Sequence, residues 1–259
     1  MAGGAQCTVE RFRRQFCPAE GTRLSHVHPG FPHTRTCRKV RRLPRPRPVV
    51  RQAVDGPWRD KMQEGGARPL WAIYFTVDDV DAAVARAVEL GGSVLMEAHD
   101  LGDIGRLAFI ADPQGVPFYL MRGNSPERSQ VYDTSSAAYG QCGWNELTTP
   151  DLDAALSFYG ELLGISVTER MTMPGDAGDY CFLDLGDLRI GAAMAASHEW
   201  PAGWKFYFRV PDIEAAKAAV DANGGKSLMG PHDVPGDETI LVASDPDGVT
   251  FGLVAPKKG

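Results

Sequence analysis

One segment of this chain occurs twice. Residues 70–120, moved forward by 133 positions, fall on residues 203–253 without a gap. Trp71-Ala-Ile-Tyr-Phe-Thr-Val-Asp-Asp79 lies on Trp204-Lys-Phe-Tyr-Phe-Arg-Val-Pro-Asp212. Gly91-Gly92 lies on Gly224-Gly225, and Asp112-Pro-Gln-Gly-Val on Asp245-Pro-Asp-Gly-Val. A gapless repeat of this length means two copies of one structural unit, and that restricts the fold to modular architectures.

The unit can be read from its periodicities. Residues 70–77 are β-rich and alternate, so they form a strand. Asp79 caps a helix in which Val80, Val84, Ala87 and Val88 recur at helical spacing. Gly91-Gly92 ends it, strands follow over 93–98, 106–111 and 116–122, and 99–105 reads as a polar loop. The order is β-α-β-β-β. Residues 143–194 give the same order with different side chains: a strand, a helix with the stripe Leu152, Ala155, Leu156, Tyr159 and Leu163, and three further strands. Residues 203–255 give it a third time.

A single unit cannot cover its own apolar face. Two units side by side make a curved eight-stranded cup with helices outside. The expected fold class is therefore α+β: tandem βαβββ modules forming curved mixed-sheet cups, the first cup incomplete. The divisions are residues 1–69, an atypical segment; 70–122, the second half of the first cup; 123–140, a linker; and 141–259, the second cup.

Charge separates the first segment from the rest. Residues 1–61 hold 14 Lys and Arg against four Asp and Glu, while the whole chain has a net charge of -6. The run Arg35-Thr-Cys-Arg-Lys-Val-Arg-Arg-Leu-Pro-Arg-Pro-Arg-Pro48 lacks the apolar content of a core and reads as disordered. Three accounts of it stay open. It is a basic arm for nucleic acid, a zinc site built from Cys7, Cys17, His26, His28, His33 and Cys37, or a stretch of coding sequence read out of frame. The out-of-frame account has a length argument, because one more module would fit in the space. Outside this segment the acidic excess argues against nucleic acid as a partner. A half-open first cup would expose a strand edge and favour a homodimer. No apolar run approaches the roughly 20 residues of a membrane span, and five scattered cysteines suit a reducing cytoplasm.

The repeated β-α-β-β-β units, with Thr149-Pro-Asp-Leu-Asp-Ala-Ala155, Phe158-Tyr159, Val210-Pro-Asp-Ile-Glu-Ala-Ala216 and Asp245-Pro-Asp-Gly248, resemble the vicinal oxygen chelate superfamily. That superfamily contains glyoxalase I, extradiol dioxygenases and bleomycin-resistance proteins. Trp144-Asn-Glu-Leu147 and His99-Asp-Leu-Gly-Asp-Ile-Gly-Arg106 are similar to its tandem actinobacterial members labelled hydroxylase or 27 kDa antigen. The likeness runs from about Leu70 to Pro256 and leaves residues 1–69 outside.

The resemblance implies a His early in the first strand of a module and a Glu in its last strand, holding a divalent metal as Lewis acid. The positions that match are Ala72, Trp144 and Lys205 for the His, and Tyr119 and Gly252 for the Glu. None is a metal ligand of the family type, so no bound metal and no other cofactor is expected. His99 and His232 lie at equivalent positions in the two copies and read as residues of a polar loop.

Strand alternation then selects what faces the second cup. Trp144, Glu146 and Thr148 share one parity, as do Lys205, Tyr207 and Arg209 on the matching strand. These residues would bind a small aromatic or anionic molecule by stacking and ion pairing. Glu146 is the candidate general base, or else it closes the pocket floor by pairing with Lys205 or Arg209. Tyr74 and Tyr119, with Ala72 and Thr76, would line the first cup. Three functions remain in view: a metal-independent small-molecule binding protein, a glyoxalase- or hydroxylase/dioxygenase-type enzyme using Glu146 or residues of the missing module, and, behind these, nucleic-acid association through the basic arm.

Overall fold

The computed structural model describes residues 69–125, 131–134, 138–175, 178–198 and 200–258, with the backbone of Cys7 and Thr8. The basic run, the zinc candidates beyond Cys7 and the reading of residues 9–68 as disordered or out of frame lie outside the described residues.

The first module opens with strand β2 (Tyr74–Thr76), which is shorter than its alternation suggests. The chain on either side stays extended against the module's last strand, with Tyr119 N–H donating to Ile73 O at 2.8 Å and Val77 N–H to Met121 O at 2.9 Å. Helix α1 (Val80–Glu89) follows, its first turn capped by the Asp79 carboxylate, which accepts from Ala82 N. Strands β3 (Ser93–Leu101), β4 (Gly105–Ala111) and β5 (Pro117–Gly123) complete the unit as an antiparallel meander, and β5 returns parallel to β2. A short β1 (Cys7–Thr8) pairs with β2, so the sheet order is β1-β2-β5-β4-β3.

The second sheet is built from two complete modules. One comprises β6 (Cys142–Thr149), α2 (Leu152–Leu163), β7 (Ile165–Thr172), β8 (Asp179–Leu185) and β9 (Leu188–Ala195). The other comprises β10 (Gly203–Arg209), α3 (Ile213–Ala222), β11 (Lys226–Val234), β12 (Glu238–Ser244) and β13 (Thr250–Pro256). Their order is β11-β12-β13-β10-β6-β9-β8-β7. The first strands of the two modules, β6 and β10, therefore meet antiparallel at the centre. Asp151 and Asp212 cap α2 and α3 as Asp79 caps α1, and Gly164 ends α2 at a φ of 75°, where glycine carries no Cβ penalty.

The repeat holds down to its irregularities. The register shifts in β3 at Val94/Met96 and Met96/His99 recur in β11 at Ser227/Met229 and Met229/His232. They also correct the loop reading at residues 99–101, which belong to β3, while 102–104 form the turn that leads into β4. His99 lies within β3 opposite Leu107, and His232 within β11 opposite Ile240. An edge strand bonded on one side tolerates polar residues on both faces, so sequence polarity there marks an edge and not a loop.

Aromatic side chains fill the space between the two sheets. Trp71 packs on Phe208 at 5.5 Å and Phe75 meets Trp204 edge-on at 5.7 Å. Phe118 lies 5.4 Å from Tyr159 and 6.1 Å from Phe158. The Tyr159 hydroxyl donates to Asp112 Oδ2 and accepts from Trp204 Nε1, both at 3.2 Å, so a polar thread runs through the apolar layer. Burial raises the Asp112 carboxyl and the Tyr159 phenol above their ordinary pKa values. No helix among the described residues is long and apolar enough to cross a membrane. Because Phe118 is fully buried, Phe118→Ala is expected to cost about 3–5 kcal/mol, measured by urea denaturation.

Candidate functional site

The antiparallel contact of β6 with β10 sets the site. Its register places Lys205 opposite Glu146 and Tyr207 opposite Trp144. Directly paired residues share a face, so these four side chains lie together as alternation predicts. Glu146 and Lys205 are both buried, with side chains about one-tenth exposed, and Lys205 Nζ donates to Glu146 Oε1 at 2.9 Å. Tyr207 Oη lies 3.4 and 3.5 Å from the two carboxylate oxygens. Glu146 thus pairs with Lys205, and Arg209 is engaged elsewhere.

A second chain of donors reaches the same carboxylate. Trp144 Nε1 donates to Tyr180 Oη at 2.9 Å, and Tyr180 Oη donates to Glu146 Oε2 at 3.1 Å. Sequence reasoning missed Tyr180. It begins an alternation in β8 in which Tyr180 and Phe182 stay half-exposed while Cys181 and Leu183 are buried. That parity was the available signal. Burial first, and then the Glu146 charge, raises the Tyr180 and Tyr207 phenols well above their ordinary pKa.

Trp200 was also missed. It lies in the connection between β9 and β10, where no periodicity marks it. Its indole sits under Lys205 Nζ, 4.1 Å from the ring centroid. It also packs against the cluster of Tyr207, Val242 and Val254. Trp200 N–H donates to Ser197 Oγ, and Ser197 N–H to Trp200 O at 2.9 Å, which closes the connection into a turn.

Two predicted residues are placed differently. Thr148 shares the face, but its hydroxyl donates to Pro201 O at 2.5 Å and serves to hold the same connection. Arg209 is buried at the end of β10, where it pairs with Glu238 and donates to Thr134 O at 3.2 Å. In the first sheet Tyr74 and Tyr119 share a face and stack at 4.4 Å, and Phe109 lies 4.4 Å beyond Tyr119. Cys142 is buried, and burial pushes its thiol up to about 12, so it is inert near neutrality.

The family metal can be tested against these positions. Trp144 offers an indole, and Lys205 an ammonium already bonded to a carboxylate. Gly252 offers nothing, and a Cβ placed there would meet the Tyr207 ring at 2.2 Å. The ring of Tyr207 therefore covers the place from which the Glu of the metal-binding pattern would project. Indole and ammonium have no free lone pair for a cation, so the residues of the second cup at these positions do not fit the metal.

Two outcomes follow from this geometry. Lys205→Met leaves Glu146 buried beside no cation and should destabilise the chain by about 3–5 kcal/mol. Adding Glu146→Gln to it should recover most of that loss in urea titrations. The second outcome concerns pH. The raised phenols of Tyr180 and Tyr207 contribute stability that is fully present below their ordinary pKa of 10.0 and is lost as pH rises towards the folded values. The urea midpoint of the parent chain should therefore fall more steeply than that of Tyr180→Phe above about pH 10.

Comparison with known proteins agrees with this architecture. The family model described as Glyoxalase/Bleomycin resistance protein/Dioxygenase superfamily matches residues 12–120 and 141–253. Its first match starts well before Leu70 and so corrects the limit set by residue patterning, which left residues 1–69 outside. CFP32 of Mycobacterium bovis, which carries a provisional glyoxylase name, is 36% identical over 192 residues, covering 74% of this chain and 71% of its own. The anthracycline biosynthesis protein DnrV of Streptomyces peucetius is 30% identical over 222 residues, 82% of this chain and 76% of its own. Among solved structures, the Mn(II)-bound glyoxalase from Novosphingobium aromaticivorans matches with a TM-score of 0.51 at 17% identity, over 73% of this chain and 63% of that one. An extradiol ring-cleaving dioxygenase from B. fuscum matches with a TM-score of 0.50 at 21% identity, over 72% of this chain and 55% of that one. Both structural likenesses concern the fold. The chain belongs to the glyoxalase/bleomycin resistance protein/dioxygenase superfamily.

Proposed function

We propose that the second cup binds a small aromatic metabolite without the family metal. The observation that carries this reading is the buried Glu146–Lys205 pair, ringed by Trp144, Tyr180, Tyr207 and Trp200. The ammonium already has its counter-charge in Glu146, and Arg209 has Glu238. An anionic ligand would find no unmatched cation on these two side chains, so the aromatic half of the expectation is favoured. Half-exposed Trp144, Tyr180 and Phe182 offer ring faces and edges, and the pair beneath offers hydrogen bonds to one polar edge of a ligand. The name of DnrV, a relative assigned to anthracycline biosynthesis, points towards a ligand of the same chemical kind.

In this reading Glu146 positions Lys205 and the two phenols. The three donors on Glu146 hold it in place, and Lys205 keeps N–H groups beyond the one it gives to Glu146. Tyr180 fixes the carboxylate from the β8 side and is itself oriented by Trp144.

The test is tryptophan quenching by 2-naphthol, followed with and without EDTA, alongside metal analysis of the purified chain by ICP-MS. Saturable quenching that survives EDTA is expected, with weaker affinity in Tyr180→Phe, which loses the bond that fixes Glu146 from the β8 side. Equimolar Fe, Mn, Ni or Zn whose removal abolishes binding would overturn the metal-free reading. Turnover of a methylglyoxal–glutathione adduct or a catechol would replace binding by catalysis.

A further inference from the structure

An aromatic ring already lies against the Lys205–Glu146 pair, and it belongs to the chain. Trp200 does not come from a strand of the sheet. It comes from the connection between β9 and β10 and reaches back over the face that β10 presents. Two contacts define its place: the Lys205 ammonium at 4.1 Å from its ring centroid, and the apolar cluster of Tyr207, Val242 and Val254. These cluster residues share the cup face, since Tyr207 registers with Gly252 and Gly252 with Val242. The indole is only partly buried, and the residues beside it in the turn, Ser197, His198, Pro201 and Ala202, are exposed.

We infer that Trp200 is the cup's own occupant, and that the ligand binds by displacing this indole from Lys205. This rests on the aromatic-binding reading above and adds the ligand's size and its route of entry. What replaces an indole on Tyr207, Val242 and Val254 is a flat, roughly bicyclic aromatic. What satisfies Lys205 after the indole leaves is a hydroxyl or carbonyl oxygen on its edge, because the ammonium has donors that Glu146 does not take. Trp200 then sets specificity by competition. A molecule that cannot match both the ring packing and the attraction of the cation for the ring face does not dislodge it. The attachment of the connection suits an outward swing of the ring. Thr148 anchors it at Pro201 and Ala196 N–H bonds to Thr149 O, which leaves the turn between them to carry the ring.

The experiment compares 2-naphthol and indole binding to the parent chain and to Trp200→Ala by calorimetry. Removal of a competing occupant should tighten 2-naphthol binding about tenfold, equivalent to about 1.4 kcal/mol, and should let free indole bind where the parent chain takes it weakly. In the parent chain labelled with 5-fluorotryptophan, the Trp200 resonance, assigned with Trp200→Phe, should move to a solvent-exposed position as 2-naphthol saturates. That second readout stands if the alanine variant fails to fold. Weaker 2-naphthol binding in Trp200→Ala, or an unmoved Trp200 resonance at saturation, makes the ring a fixed wall of the site and overturns the inference, while the aromatic-binding reading survives. No binding of 2-naphthol to either protein removes both.

Discussion

The Glu146–Lys205 pair ties the two modules of the second sheet together at their seam. Each residue comes from the first strand of a different module, and each side chain is about one-tenth exposed. Two charges taken this far from water are tolerated only when they are paired and hydrogen-bonded. The surroundings meet that condition for the carboxylate: Lys205 and Tyr207 reach it from β10 and Tyr180 from β8. On the cation's side the Trp200 ring supplies part of what water would have supplied. Moving either strand by one residue would turn its own charge into the apolar layer behind the sheet and leave the other without its partner. The pair therefore fixes the register of the seam as well as the chemistry of the cup.

The two copies of the repeat have diverged where their surroundings differ. In both, an Asp opens the turn after the third strand and accepts two backbone N–H groups, Asp112 from Gln114 and Val116, Asp245 from Asp247 and Val249. In the first copy this turn docks against the second sheet. Gln114 accepts from Asp151 N–H and the Thr149 hydroxyl, and donates to Asp151 O at 2.8 Å. Its counterpart Asp247 is exposed. The same divergence separates the floors. Tyr74 stacks on Tyr119 in the first copy, whereas in the second Gly252 makes room for the Tyr207 ring to lie against the backbone. Ala72 stands where Lys205 carries the charge. One backbone thus supports an aromatic floor in one sheet and a charged floor in the other.

The architecture was legible because its signals are local. Strand alternation, Asp caps and Gly stops recur in three modules, and each is a statement about a few adjacent residues. The seam residues were legible for the same reason: a period of two, applied to Trp144-Asn-Glu-Leu147 and Trp204-Lys-Phe-Tyr207, decides which side chains meet. Tyr180 needed more than a period. Its contact with Glu146 crosses β9, so it depends on the sheet order β6-β9-β8 and on Ala192, the residue opposite Glu146 on β9, being small. Trp200 left no periodic trace, because a connection between modules is under no alternation rule. The polar stretch around His99 misled in the opposite direction, since an edge strand with two register shifts has no consistent inner face to mark it as a strand.

These differences bear on how the family's chemistry can be carried by this chain. A metal site of the family type needs lone-pair donors converging at the seam, where the first strands of paired modules meet. Here that place holds an internal salt bridge, and the Tyr207 ring lies over Gly252. The pair and a metal would compete for the same volume. A cation brought to Glu146 would have to displace the ammonium of Lys205, which is tethered to the adjacent strand and needs no capture from solution. The exchange would also strip Trp200 of its cation and leave Lys205 buried without a counter-charge, a cost of about 3–5 kcal/mol before the metal had found a second ligand. The ion pair, the ring over glycine and the indole over the ammonium therefore stand or fall as a set. Restoring a single ligand in the cup would unbalance the other two groups before it gained a metal.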